Sequence, residues 1–160
     1  MQIAIRRTQS GAVLLESLIA VLVFSLGILA IVGMQAFAIN VSSDAKYRSD
    51  AAILANELIG RMWINDRTQA TLQAAFSSPA GAAYTAWAWA GASGTGTQSS
   101  PAAGTVVETL PGAGINPPTV TVTPVATTTP PSSLVTITVF WQLPSDATAH
   151  SHRVVAQIGG

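Results

Sequence analysis

The stretch GAVLLESLIAVLVFSLGILAIVGM, residues 11–34, decides how the rest of the chain is read. No charged residue occurs from Leu18 to Met34, and the apolar character continues through Ala36, Phe37, Ala38 and Ile39. That is more than the roughly 20 residues a bilayer core requires. Glu16 interrupts the pattern. An ionised carboxylate in hydrocarbon costs about 2.5–3.5 kcal/mol even on the mildest scale, so an acid in a span points to a role and to a partner that neutralises it.

Ahead of the span lies MQIAIRRTQSG, with Arg6 and Arg7 and no acid. The positive-inside rule then predicts a cytoplasmic N-terminus and export of everything after the span. Ala36-Phe37-Ala38 has the small-x-small form of a secretory cleavage site, which would give a mature start at Ile39. Against that reading, the apolar region exceeds the usual length of about 7–15 residues and contains Glu16. Glycine before the apolar run, with glutamate five residues beyond it, resembles instead the class III leader of type IV prepilins. The resemblance implies a leader of residues 1–11, cut on the cytoplasmic side after Gly11 by a prepilin peptidase. Ala12 would then be the new, N-methylated first residue, where most members have Phe or Met. It also implies that Glu16, at the fifth mature position, is the glutamate used in assembly.

At 160 residues the chain has room for one domain beside a span, and not for two independent cores. Charged residues are 9% of the total, and Ala, Thr, Ser, Gly and Pro dominate, as in exported surface proteins rather than cytosolic enzymes. Loss of the leader would take Arg6 and Arg7 from seven basic side chains, leaving five against seven acidic ones. No basic field for nucleic acid remains. The absence of cysteine excludes disulfides, thiolate nucleophiles and Cys-based metal sites.

From Ala12 to about Asp66 there is no proline, and the helical pattern continues past the membrane. Ala51, Ala55, Leu58 and Met62 line one helical face, widened by Leu54 and Ile59, with Lys46, Asp50, Glu57 and Arg61 opposite. Asp44 with Arg48, and Glu57 with Arg61, are acid-then-base pairs at i,i+4. One helix of about 55 residues, some ~80 Å long, follows. Residues 12–39 form its transmembrane or filament-core half and residues 40–66 its amphipathic half. Gly27 and Gly33 are read as points of bending or as sites of close helix packing. The block AAILANELIGRMWIND, Ala51 to Asp66, resembles the corresponding segment of the PilV family of minor pilins, the type IV pilus modification proteins. Ala55, Glu57, Leu58, Arg61, Met62 and Asn65 carry that resemblance.

Residues 67–160 read as a periplasmic antiparallel β domain with Gly/Ser/Thr/Pro-rich loops. Tyr84 to Ala90 alternates strictly, which predicts a strand with Trp87 and Trp89 on one face, either as a core platform against the helix or as a surface for sugars or a partner. Gly91 to Pro118 reads as exposed loop, with a short strand over Thr105–Leu110. Further strands are predicted over Thr119–Val125, with Pro124 at an edge, over Leu134–Gln142 with Val135, Ile137, Val139 and Trp141 inward, and over Arg153–Ile158 with Val154, Ala156 and Ile158 inward. A Pro/Thr-rich connector is read from Ala126 to Ser133. The expected fold is α+β and type IV pilin-like, a long N-terminal helix packed on a small antiparallel sheet.

Asp146, His150 and His152 form the one cluster suggestive of a metal, but no fixed fourth ligand is evident. Ser145 and Ser151 lack the glycine-flanked setting of a nucleophile. Neither catalysis nor a cofactor is indicated. The resemblance implies a minor pilin in pilus assembly or priming, with other minor pilins, the major pilin, the prepilin peptidase, the inner-membrane assembly platform and a tip adhesin as partners. A type II secretion pseudopilin, or a displayed module for adhesion or DNA uptake, are the alternative readings.

Overall fold

The computed structural model describes residues 10–89, 103–125 and 131–159. Most of the expected leader, including Arg6 and Arg7, lies outside them, as do Ala90 at the end of the expected Tyr84–Ala90 strand, residues 91–102 of the expected exposed loop and 126–130 of the connector. The chain divides into two compact units, residues 1–44 and 45–160, and helix α1, Ser10–Ile64, has residues in both.

In the first unit α1 passes through Gly27 and Gly33 without interruption, and a Cβ at either would meet no atom within 4 Å. Its apolar side chains are exposed all round, from Val13 to Val41. The hydroxyls of Ser17 and Ser25 donate to the carbonyls of Val13 and Val21, at 2.9 and 2.7 Å, so neither is unsatisfied in apolar surroundings. By length and composition this helix is able to cross a membrane.

The second unit begins with the amphipathic part of α1. Ala51, Ala55, Leu58 and Met62 are fully buried and Leu54 nearly so, while Glu57 and Arg61 stay exposed and pair at 2.6 Å. With both partners over 40% exposed, that pair contributes at most a few tenths of a kcal/mol. Asn65 Nδ2 donates to the Arg61 carbonyl, satisfying one of the orphan acceptors where α1 ends. Three short helices follow, α2 Gln69–Phe76, α3 Ala82–Ala88 and α4 Val106–Thr109, and then strands β1 Thr119–Val125, β2 Ser132–Trp141 and β3 His150–Gly159. The strands form an antiparallel sheet in the order β1-β2-β3. Val120 and Val122, the odd positions Val135 to Trp141, and Ile158 bury their side chains in the same core as Leu58 and Met62. This is the α+β arrangement expected, a long N-terminal helix packed on a small antiparallel sheet.

Four expectations are corrected. The described residues of the expected Tyr84–Ala90 strand are not a strand: residues 82–88 are helix α3, because Tyr84, Trp87 and Ala88 also satisfy the i, i+3, i+4 spacing, and that face is the buried one. Thr105–Leu110 is likewise helical, with Val106 and Leu110 buried one turn apart. Residues 103–118 are therefore not simply exposed loop, since Thr105, Val106, Leu110 and Ala113 are all buried. β2 also starts earlier than expected, taking in Ser132 and Ser133 from the connector.

Two glycines are required by close approach. A Cβ on Gly81 would run into the Ala75 carbonyl, and one on Gly112, at φ +72°, would lie 3.0 Å from Gln142. The second contact accompanies the hydrogen bond from Gln142 N–H to the Pro111 carbonyl, 2.8 Å.

Asp66 organises the entry to α2. Its carboxylate accepts from the Thr68 N–H at 3.0 Å and from the hydroxyls of Thr71 and Thr68 at 3.1 and 3.3 Å. The Thr68 backbone bond, then the Thr71 hydroxyl, hold its pKa below the ordinary 3.8. A carboxyl with a depressed folded-state pKa stabilises the fold above its unfolded-state value, and that contribution is lost as pH falls through the folded-state value. Asp66→Asn is thus expected to lower the melting temperature slightly at neutral pH, and the difference from wild type should vanish below the ordinary carboxylate range. A difference that persists there would assign the effect to something other than the charge.

Candidate functional site

Gly11 and Ala12 open α1 and Glu16 follows one turn later, so Ala12 and Glu16 share a helical face. Gly11, Ala12 and Glu16 are all exposed, and a Cβ on Gly11 would meet nothing within 4 Å. Among the described residues Glu16 makes no ion pair and no hydrogen bond. The next cation along the chain is Lys46, 30 residues further on. The helix therefore presents an acid, ringed by Val13, Leu14, Leu15, Leu18 and Ile19, with nothing described in the chain to neutralise it. If Ala12 became a free N-terminus, its ammonium would arise one turn from this carboxylate.

Trp87 and Trp89 do not share a face. Trp87 is 1% exposed, and its indole N–H donates to the Leu54 carbonyl at 3.1 Å, tying α3 to α1. Trp89 is the half-buried cap residue of α3, and its indole N–H donates to the Tyr84 hydroxyl. Tyr84 in turn donates to the Pro118 carbonyl at 2.7 Å. Burial raises the Tyr84 pKa, a shift the Trp89 bond partly opposes. Both tryptophans are framework, and the ligand surface that a strand would have created with them is absent among the described residues. The sequence signal for this was the position of Trp87, three residues after Tyr84.

The Asp146 cluster closes the β2–β3 connection. Its Oδ2 accepts from the Leu143 N–H at 3.1 Å and sits 3.3 Å from His150 Nε2, and its carbonyl accepts from Gln142 Nε2 at 3.0 Å. His150 stacks on Trp141, centroids 5.8 Å apart and planes inclined by 15°. Among the described residues no three His, Cys, Asp or Glu side chains are placed to hold a metal. Asp146 thus serves the turn, a role that Asp four residues before His did not announce in the sequence.

Comparison with family models, with curated proteins and with solved structures finds no match for this chain.

Proposed function

We propose that this chain is a minor pilin that takes part in type IV pilus assembly or priming as a subunit of a minor-pilin complex. The observation that carries the reading is Glu16, without an ion pair among the described residues and one turn from the Gly11–Ala12 junction, at the head of an exposed apolar helix that ends in a small α+β domain. On this reading the prepilin peptidase removes residues 1–11 and Ala12 is methylated. The protein waits in the inner membrane as a single-pass subunit, N-terminus cytoplasmic and C-terminal domain periplasmic. It then passes into the pilus with other minor pilins and the major pilin, through the assembly platform and beneath a tip adhesin.

In the isolated subunit the Ala12 ammonium and Glu16 pair internally near the membrane surface. In a staggered assembly Glu16 pairs with the ammonium of a neighbouring subunit. A desolvated pair of this kind selects register more than it adds stability, because the attraction mostly offsets the loss of hydration.

Glu16→Leu is expected to preserve membrane insertion and cleavage while weakening incorporation. Crosslinking and co-purification with the other minor pilins, alongside the amount of the variant in sheared filaments, measure it. Undiminished incorporation would remove the basis of the reading.

A further inference from the structure

The two edges of the sheet are treated differently. Val120 of β1 gives both its backbone groups to Ser78, accepting from the Ser78 N–H at 3.0 Å and donating to its Oγ at 3.0 Å, so Val120 faces away from β2. Thr123 Oγ1 donates to the Leu134 carbonyl, so Leu134 faces β1. The register is continuous, and backbone direction alternates along a strand. Hence the odd residues of β2 bond β3 through Val154, Ala156 and Ile158. The odd residues of β3, from Ser151 to Gly159, turn their N–H and C=O groups outward.

The β1 edge is blunted by Ser78 and by Pro124, which has no N–H to offer. The β3 edge has no such device. Ser151, Arg153, Val155 and Gln157 are all exposed, and among the described residues nothing bonds their outward backbone groups. β3 is ten residues long, without proline, and beside this edge Val155 (51% exposed) and Leu134 (38%) are diagonal neighbours on the solvent face. A long open edge of this kind is a template for another strand.

We infer that β3 is an interaction surface that takes β3 of a second copy of this chain, antiparallel, with Val155 opposite Val155 across a two-fold axis. The register follows from the residues. Placing Arg153 opposite itself would set like charges together, which is unfavourable. Placing Val155 opposite itself sets Arg153 against Gln157 and Ser151 against Gly159, uses all five outward residues, and brings the exposed apolar side chains together. The surface is self-complementary, as a two-fold interface must be. This inference is independent of the assembly reading above.

The full chain purified in detergent tests it, and the absence of cysteine makes introduced thiols the only ones. With a short bismaleimide crosslinker, Val155→Cys is expected to give a covalent dimer, and Thr121→Cys, on the solvent face of β1, to remain monomeric. Chains carrying Arg153→Cys mixed with chains carrying Gln157→Cys should crosslink, and neither alone. Adding Arg153→Pro to Val155→Cys removes an outward N–H that bonds nothing in the fold. It should reduce the dimer to the Thr121→Cys level, with the circular dichroism melting curve retained. A Val155→Cys yield no higher than that of Thr121→Cys overturns the inference. So does a failure of the Arg153→Cys and Gln157→Cys mixture to crosslink. A Val155→Cys adduct in whole membranes to a protein of another mass, with monomer alone in detergent, also overturns it by assigning the edge to a different partner.

Discussion

Trp87→Ala is expected to lower stability by about 3–5 kcal/mol, the range for emptying a large buried aromatic site. Small domains hold about 5–15 kcal/mol in all, so the variant should melt roughly 10–30 °C lower. Two losses combine. The indole leaves a cavity in the hydrophobic core to which it belongs, and the Leu54 carbonyl loses the donor that reaches it from α3. Near-ultraviolet circular dichroism of the full chain in detergent follows the domain. Trp63→Ala is the comparison, because Trp63 is 46% exposed, with the Arg67 guanidinium 5.9 Å over its ring, so its removal should change stability by about 0.5 kcal/mol or less. Equal losses for the two variants would mean that Trp87 is not a core residue.

Gly11→Val is expected to stop maturation and leave full-length protein in the membrane. A peptidase pocket sized for glycine excludes a branched side chain. Among the described residues nothing resists the substitution, since a Cβ there meets no atom within 4 Å. The loss would therefore report on recognition by the peptidase rather than on a damaged helix. N-terminal sequencing of the wild type should find Ala12 first and, in the variant, Met1. A wild-type start at Ile39 would establish secretory cleavage after Ala38 and end the minor-pilin reading.

The parts of the fold readable in the sequence are those in which one period excludes the other. Ala51, Ala55, Leu58 and Met62 fit only a helix, and Val135, Ile137, Val139 and Trp141 fit only a strand, and both sets are buried as expected. Tyr84-Thr-Ala-Trp-Ala-Trp-Ala fits both periods. Alternation suggested a strand, while the alanines favour a helix, and the core took the helical face of Tyr84, Trp87 and Ala88. Leu72 and Phe76, one turn apart, were too short a signal to reveal α2. At the N-terminus the residues of the candidate site were legible because a lone acid in an apolar run has few explanations. The open edge of β3 was not, because it depends on the strand order and on the bond from Ser78 to Val120, which joins positions 42 residues apart.

The core has a consequence for biosynthesis. Its first members, Ala51 to Met62, leave the ribosome well before its last, Ile158. At a synthesis rate of about 5–20 residues per second, the ~100 intervening residues take roughly five to twenty seconds. During that interval the apolar stripe of α1 has no sheet to cover it, and hydrophobic collapse is faster by many orders of magnitude. The amphipathic segment of the nascent chain therefore stays uncovered, and open to association with other apolar surfaces, until Ile158 and its strand arrive.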